Sequence, residues 1–335
     1  MIGPLPPRLG GAAQSMATLT DELSRDPGLQ INLVDTCRKP GPFSQTLRTV
    51  QVFYHTLRQI KHVDVVTVHY SDPGVGGLVF ALTRLFRRPL LVHRFGGADA
   101  HRYWGGGRGY IERLLLKSAE LNLFQTQLQI ENVKNLRMKR VEQYPNNRPL
   151  PDHSQPSNPR ESCTRYVFLG HVNRDKGIDE LIAAGERLPD GLRVDVFGEL
   201  CGGVTENDFK GLKRVRYGGA LRHDDVISTL RDYDALVLPS HYEREGHPGV
   251  IIEAYQAGLP VVATDFMAIP EIVDDTTGIL VPPYNSDALF LAMERLHNEP
   301  KLYRRLREGA IQRGRAHSTA IWAPRFVEFC REISR

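Results

Sequence analysis

No apolar run in this chain approaches the roughly 20 residues that a bilayer-spanning helix needs. A helical membrane span is therefore not expected. Cysteine is scarce: Cys37, Cys163, Cys201 and Cys330 stand far apart and form no CxxC pair. That spacing gives neither a disulfide frame nor a zinc site, and it reads as unpaired thiols of a reducing compartment. The opening residues Met1-Ile2-Gly3-Pro4 lack the basic and apolar regions of a signal peptide, so the expected location is cytoplasmic. HExxH, GxSxG and P-loop motifs are absent, which leaves zinc hydrolysis, an elbow serine and P-loop NTP hydrolysis without support. The dinucleotide fingerprint GxGxxG is also missing, which argues against a nicotinamide dehydrogenase.

What is present is enough chain for two cores. The sequence has 335 residues, 41% hydrophobic and 24% charged, ordinary values for a globular protein. The net charge of +4 conceals an asymmetry: residues 1–150 hold 20 Lys and Arg against 11 Asp and Glu, a balance of +9. The remainder holds 23 against 28, a balance of −5. A basic half suits an anionic substrate or an anionic membrane surface. No recognition motif or aromatic–basic interleaving points to nucleic acid.

Short β-rich runs alternate with helical patterns. In the first half, strands are expected at Ile31–Val34, Val63–Val68, Leu90–His93 and Leu121–Phe124, with helices at Ala12–Leu23, Ser44–Ile60, Val75–Leu85 and Gly109–Ala119. The chain starts almost directly in a first strand. In the second half, strands are expected at Tyr166–Leu169, Arg193–Phe197, Val215–Tyr217, Ala235–Leu238, Val261–Thr264 and Ile279–Val281. Helices are expected at Ile178–Arg187, Asp224–Arg231, Ala288–His297 and Ala320–Ser334, the last after a very basic stretch from Lys301 to Arg315. This alternation predicts α/β architecture with parallel sheets covered on both faces. A Pro-, Asn- and Ser-rich stretch between the halves reads as a linker over 149–163. The expected domains are 1–148 and 164–317, with a last helix, about 318–335, packing back on the first.

Four stretches could carry chemistry. Glu245 and Glu253 stand eight residues apart, Glu245 in a loop at the mouth of a helix and Glu253 within it, the helix expected to start near Pro248 and to stop at Gly258 and Pro260. Val250, Ala254 and Ala257 form an apolar stripe at helical spacing, and Glu253 falls on it. A carboxylate there needs a partner, and a ligand hydroxyl is one candidate. The free N–H groups of that helix favour an anion, while Glu245 at its mouth suits a sugar. The loop Gly170–Gly177 follows a strand end, where α/β sheets bind ligands, and it carries Arg174 and Lys176, suited to phosphate. Gly10-Gly11 precedes a helix and would let an anion approach the backbone, or forms a plain tight turn. His93, Asp99, His101 and His69 lie near strand ends and are candidate ligand-facing residues.

With these motifs in order, the sequence resembles the retaining glycosyltransferases of family 4, which have the GT-B fold. Glu245 and Glu253 match the family's E-x7-E motif, inside a pattern running from Pro239-Ser240 to Val261-Val262-Ala263-Thr264. Ile269-Pro270-Glu271-Ile272-Val273 with Gly278-Ile279-Leu280-Val281 fits its later part. Gly170, Lys176 and Gly177 match the phosphate loop, and Gly10-Gly11 the early glycine loop. The chain departs from the pattern at His171, where the family has Arg, and at Phe95, where it often has His.

The resemblance implies two Rossmann-like domains facing a cleft, with a nucleotide-sugar donor and a glycan or lipid-linked acceptor. It implies that Lys176 binds the donor diphosphate, that Gly170 lets phosphates approach, and that Glu253 holds the ribose hydroxyls. Glu245 would contact the donor sugar. His171, Arg174, Gly246, His247, Pro248, Gly249, Val250 and Ile251 complete the expected donor site, with Gly10 and Gly11 opposite. Lys176, Glu245, His93 and Asp99 are the expected catalytic set. No metal or other cofactor is expected. The expected activity is sugar transfer with retention, from a UDP- or GDP-linked donor, in cell-surface polysaccharide synthesis at a peripheral membrane position. A nucleotide-sugar epimerase of the same fold and an inactive sugar-nucleotide-binding module are the alternatives.

Overall fold

The computed structural model describes residues 1–5, 11–37, 44–70, 76–97, 106–151 and 162–335. They form two compact units, residues 1–149 with 319–335, and residues 150–318. Gly10, Asp99, His101 and residues 152–161 of the expected linker lie outside the described residues.

The first unit runs β1 (Ile2–Gly3), α1 (Gly11–Leu23), β2 (Val34–Asp35), α2 (Ser44–Gln59), β3 (Val66–Tyr70), α3 (Gly76–Leu85), β4 (Leu90–Arg94), α4 (Gly106–Ser118), β5 (Leu121–Phe124), α5 (Gln127–Val133) and β6 (Val141–Gln143). Its strands pair in the order β2-β1-β3-β4-β5-β6, all parallel. Every residue of β3, β4 and β5 is buried, as expected of strands covered on both faces. The strand expected at Ile31–Val34 is shifted: it is only Val34–Asp35, because Leu33 is exposed and only Val34 enters the core. Two elements were not expected. The edge strand β6 has no fully buried residue, so no apolar run marks it. Helix α5 opens with a capping box between Thr126 and Gln129, a signal present in the sequence.

The second unit runs β7 (Arg165–Leu169), α6 (Ile178–Gly185), β8 (Arg193–Phe197), β9 (Val215–Tyr217), α7 (Val226–Leu230), β10 (Ala235–Leu238), α8 (Gly249–Ala257), β11 (Val261–Thr264), β12 (Gly278–Val281), α9 (Ser286–Asn298) and α10 (Pro300–Ala316). The basic stretch Lys301–Arg315 is thus a helix, which buries Tyr303, Leu306, Ala310 and Gly314 and turns its charges outward. The final helix, α11 (Thr319–Ile333), belongs to the first unit, where it packs on α1.

The second sheet has the order β12-β11-β10-β7-β8-β9, again all parallel. Its strand order reverses between β7 and β10. In doubly wound sheets that reversal opens a crevice beyond the strand ends, and ligands bind there. Asp234 fixes the register of this pair. Its Oδ2 accepts from the amides of Thr164 and Arg165, both at 2.8 Å, while its own amide donates to Arg165 O. Burying each large side chain of these strands contributes roughly 1.5–3 kcal/mol. Tyr166, Val167 and Phe168 of β7 and Ala235 to Val237 of β10 are fully buried, so the crevice stands on deeply packed strands.

Candidate functional site

The loop after β7 is shaped by three glycines. Gly170 has φ of +149°, a region that favours glycine, and the space where a Cβ would sit is nearly open. A Cβ on Gly198, at the end of β8, would come 1.7 Å from Gly170 O. Gly177, at φ +77°, brings its backbone so close to the loop after β10 that a Cβ would meet Pro239 O at 2.1 Å. Between Gly170 and Gly177 the chain makes one 3-10 turn, Arg174–Lys176, capped by Asn173, whose Oδ1 accepts from the Lys176 amide at 3.0 Å. The His241 amide donates to Asp175 O at 2.9 Å and ties the two crevice loops together.

This geometry delivers Lys176 to Glu245. Lys176 Nζ donates to Glu245 Oε2 at 2.5 Å, with both side chains largely buried. The same oxygen accepts from Ser240 Oγ at 2.6 Å. Ser240 is fully buried, and its carbonyl accepts from Thr264 Oγ1. The ring of Tyr242 lies 5.3 Å from Lys176 Nζ. A turn closed by the Glu245 amide on Tyr242 O, at 2.8 Å, brings the chain from Ser240 round to Glu245. Ser240 and Tyr242 were not in the expected site. Ser240 belongs to the matched Pro239-Ser240 pattern, whereas no sequence signal marks Tyr242.

Helix α8 begins at Gly249, with Pro248 as its N-cap and no side chain capping it. Pro248 thus stands just outside the first turn where it was expected. Gly258, at φ +80°, ends the helix. The expected stripe of Val250, Ala254 and Ala257 is incomplete. The helix is buried on most sides through Ile251, Ile252, Ala254, Tyr255 and Ala257, while Val250 is half-buried. Glu253 is buried in the second turn. Gly246 and His247 are buried before the helix, and the His247 ring lies 5.3 Å from His317.

Other expected residues sit differently. Arg174 is exposed and engages Asp179 at 2.6 Å and Asp208 at 3.6 Å. Its charge is therefore shared with two carboxylates. His171 is exposed, with Nδ1 4.0 Å from Cys201 Sγ. In the first unit, Gly11 opens α1 with nothing among the described residues within 4 Å of its Cβ position.

His93 lies in the core of the first unit. Its Nδ1 is 3.3 Å from His69 Nδ1, and its ring packs on Phe95 at 4.3 Å and Tyr144 at 5.0 Å. Burial pushes its pKa down to about 3, so the imidazole is neutral. Burial and the neighbouring His93 lower His69 as well. Beside them Arg94 Nε meets Glu112 Oε1 at 2.7 Å, both buried, and Tyr70 OH donates to that oxygen at 3.3 Å. Burial and the Glu112 carboxylate hold the Tyr70 phenol well above its usual range. Sequence reasoning did not find this triad, whose members are too far apart in the chain to form a motif.

The second unit thus holds a switch-point crevice with a lysine, a carboxylate and an uncapped helix start, and the same unit carries the family match. Residues 151–313 match the family of glycosyl transferases group 1. Within this group 1 segment lie all the residues of the crevice. Alpha-D-kanosaminyltransferase of Streptomyces kanamyceticus is 32% identical over 152 residues, 43% of this chain and 39% of that relative. The match thus spans about two fifths of the relative's length. The fold is GT-B. Sucrose-phosphate synthase from Thermosynechococcus elongatus superposes with a TM-score of 0.78 at 17% identity, covering 99% of this chain and 98% of its own. The Anabaena protein HepE in complex with UDP superposes with a TM-score of 0.77 at 15% identity, covering 99% of each chain.

Proposed function

We propose that this chain is a retaining glycosyltransferase that moves a sugar from a UDP- or GDP-linked donor to a hydroxyl of a glycan or lipid-linked acceptor. The observation that carries the reading is the meeting of Lys176 and Glu245 at 2.5 Å in the switch-point crevice of the group 1 segment. A nucleotide-sugar presents an anion next to a neutral hydroxyl-bearing ring, and this pair offers a cation and a carboxylate side by side.

In this reading the donor diphosphate lies over Gly170 and takes Lys176 as its counter-charge. The first amides of α8 contribute their partial positive charge. Glu245 accepts from a sugar hydroxyl and Glu253 from the ribose. Departure of the sugar leaves negative charge on the diphosphate. Lys176 and the α8 dipole stabilise that charge most where it is largest, which lowers the barrier. No metal or other cofactor has a role. The UDP complex of HepE supports a nucleotide in a protein of this fold.

A thermal-shift panel of UDP, GDP, their sugar conjugates and NAD tests the reading, because a ligand of the native state raises the melting temperature by mass action. Stabilisation by one nucleotide series supports it, followed by an NMR assignment of the product anomer as retained. A response to NAD with none to nucleotides or nucleotide-sugars contradicts it. Isomerised sugar formed without any acceptor would identify an epimerase instead.

A further inference from the structure

The segment from Ser240 to Glu245, which leaves the end of β10, sends successive side chains to different places. Ser240 Oγ reaches Glu245. The His241 ring stacks on Tyr284 at 4.0 Å, and its Nε2 lies 3.7 Å from Glu180 Oε2 in the first turn of α6. Tyr242 sets its ring 5.3 Å from Lys176 Nζ, inside the range in which an aromatic face attracts a cation.

The backbone of Tyr242 is pinned on both sides. Its amide donates to Ser240 Oγ at 3.4 Å, and its carbonyl accepts from the Glu245 amide at 2.8 Å. One residue earlier, the His241 amide donates to the carbonyl of Asp175, the neighbour of Lys176. Tyr284, which backs His241, has φ of 58°, a conformation unfavourable for a residue with a Cβ. A strained residue persists where its surroundings hold it, and the stack on His241 is such a hold. No hydrogen bond joins the Tyr242 hydroxyl to another described residue, so the fold uses its ring.

Lys176 thus has two neighbours of different kinds. Glu245 holds the ammonium at 2.5 Å and cancels its charge. Tyr242 attracts it through the quadrupole of a neutral ring and leaves the charge intact. The ammonium has three N–H donors, and among the described residues its hydrogen bonds reach only Glu245. Lys176 is largely buried, and the pull of a ring on a cation is stronger away from water.

We propose that Tyr242 is a positioning residue of the donor site, whose ring retains the Lys176 ammonium in the crevice, at full charge, once a diphosphate replaces Glu245 as its counter-ion. The inference rests on the nucleotide-sugar reading of the crevice. Lysine is a strongly hydrated point charge on a flexible four-carbon stem, and without the ring it swings into water. A second carboxylate in place of Tyr242 would hold the ammonium equally well but would compete with the diphosphate. A neutral ring holds it and leaves its field for the leaving group, whose charge grows toward the transition state.

The test replaces Tyr242 in the full chain by Leu, by Phe and, through amber suppression, by phenylalanines carrying one, two and three ring fluorines. Fluorine withdraws electron density from the ring face and changes its size little, so packing is kept while the pull on a cation falls. Calorimetric affinity for UDP or GDP should weaken roughly three- to thirtyfold in Tyr242→Leu and be rescued in Tyr242→Phe. Along the fluorine series it should fall stepwise, while the melting temperature does not follow the series. The loss in kcat/KM should be at least as large as the loss in affinity. In proton NMR of the nucleotide-free chain, the Lys176 ε-methylene should carry an upfield ring-current shift that Tyr242→Leu removes. Equal affinity along the fluorine series, wild-type affinity in Tyr242→Leu, or a loss that Tyr242→Phe does not rescue overturns the proposal. A wild type that shows the ring-current shift but binds neither nucleotide would sink the nucleotide-sugar reading, and the role of Tyr242 with it.

Discussion

Lys176 Nζ and Ser240 Oγ converge on one oxygen of Glu245, at 2.5 and 2.6 Å. The crevice therefore pairs its own lysine with a carboxylate. On the proposed reading, a donor diphosphate draws Lys176 away from Glu245 and leaves the carboxylate to the sugar. Glu245→Gln should abolish transfer while nucleotide binding stays equal to wild type or tightens, because the competing partner of Lys176 is weakened. Steady-state kinetics with parallel calorimetry checks this. Unchanged turnover would remove Glu245 from the site.

Gly177→Ala should disturb both fold and site. The new Cβ would face Pro239 O at 2.1 Å from a backbone at φ +77°. The left-handed conformation alone costs about 1–2 kcal/mol for a residue with a Cβ, and the contact with Pro239 adds to it. A urea midpoint indistinguishable from wild type would show that the two loops do not press together as described.

The buried Arg94–Glu112 pair gives a third prediction. Glu112→Gln leaves a buried guanidinium without its counter-charge, and should destabilise the first unit by roughly 3–5 kcal/mol. Arg94→Met combined with Glu112→Leu should cost less than that single change. A double variant less stable than Glu112→Gln would refute the assignment.

Acid should act on the first unit through His93. Its pKa is about 3 in the folded chain and near 6.5 when unfolded. Below pH 6.5 the unfolded chain binds a proton that the folded chain does not, so stability falls as pH drops from 6.5 toward 3. The slope is on the order of 1 kcal/mol per pH unit within that window. His93→Leu should flatten this part of the profile in chemical denaturation. An identical slope in the variant would place the titrating group elsewhere.

How much of this was legible depends on where the information sits. The strands of the second unit stood out because β7, β10 and β11 are buried runs of apolar residues, which differ sharply from their flanks. Val141–Gln143 did not, because an edge strand of three half-buried residues carries no such contrast. Helix α10 was read only as a basic stretch, since six cationic residues masked the inward Tyr303, Leu306 and Ala310. Glu245 and Lys176 were found by motif spacing. The hydrogen bond from Ser240 and the ring of Tyr242 depend on how the loop after β10 folds against the loop after β7. His93 was read as a candidate ligand-facing, catalytic residue near a strand end. Its core position arises from Tyr144, which packs on it, and from Phe326, which packs on Tyr144 and on His69, contacts made only through tertiary packing of the first unit.

The most direct test is a calorimetric titration of UDP and of GDP into the wild-type chain and into Lys176→Ala. A hydrogen bond to a charged group contributes about 1.5–3 kcal/mol, so the variant should bind roughly ten- to hundredfold more weakly. The account predicts one saturable site for one of the two nucleotides, and its loss in Lys176→Ala with the melting temperature retained. Equal affinity in both proteins, or no binding of either nucleotide to the wild type, would contradict it.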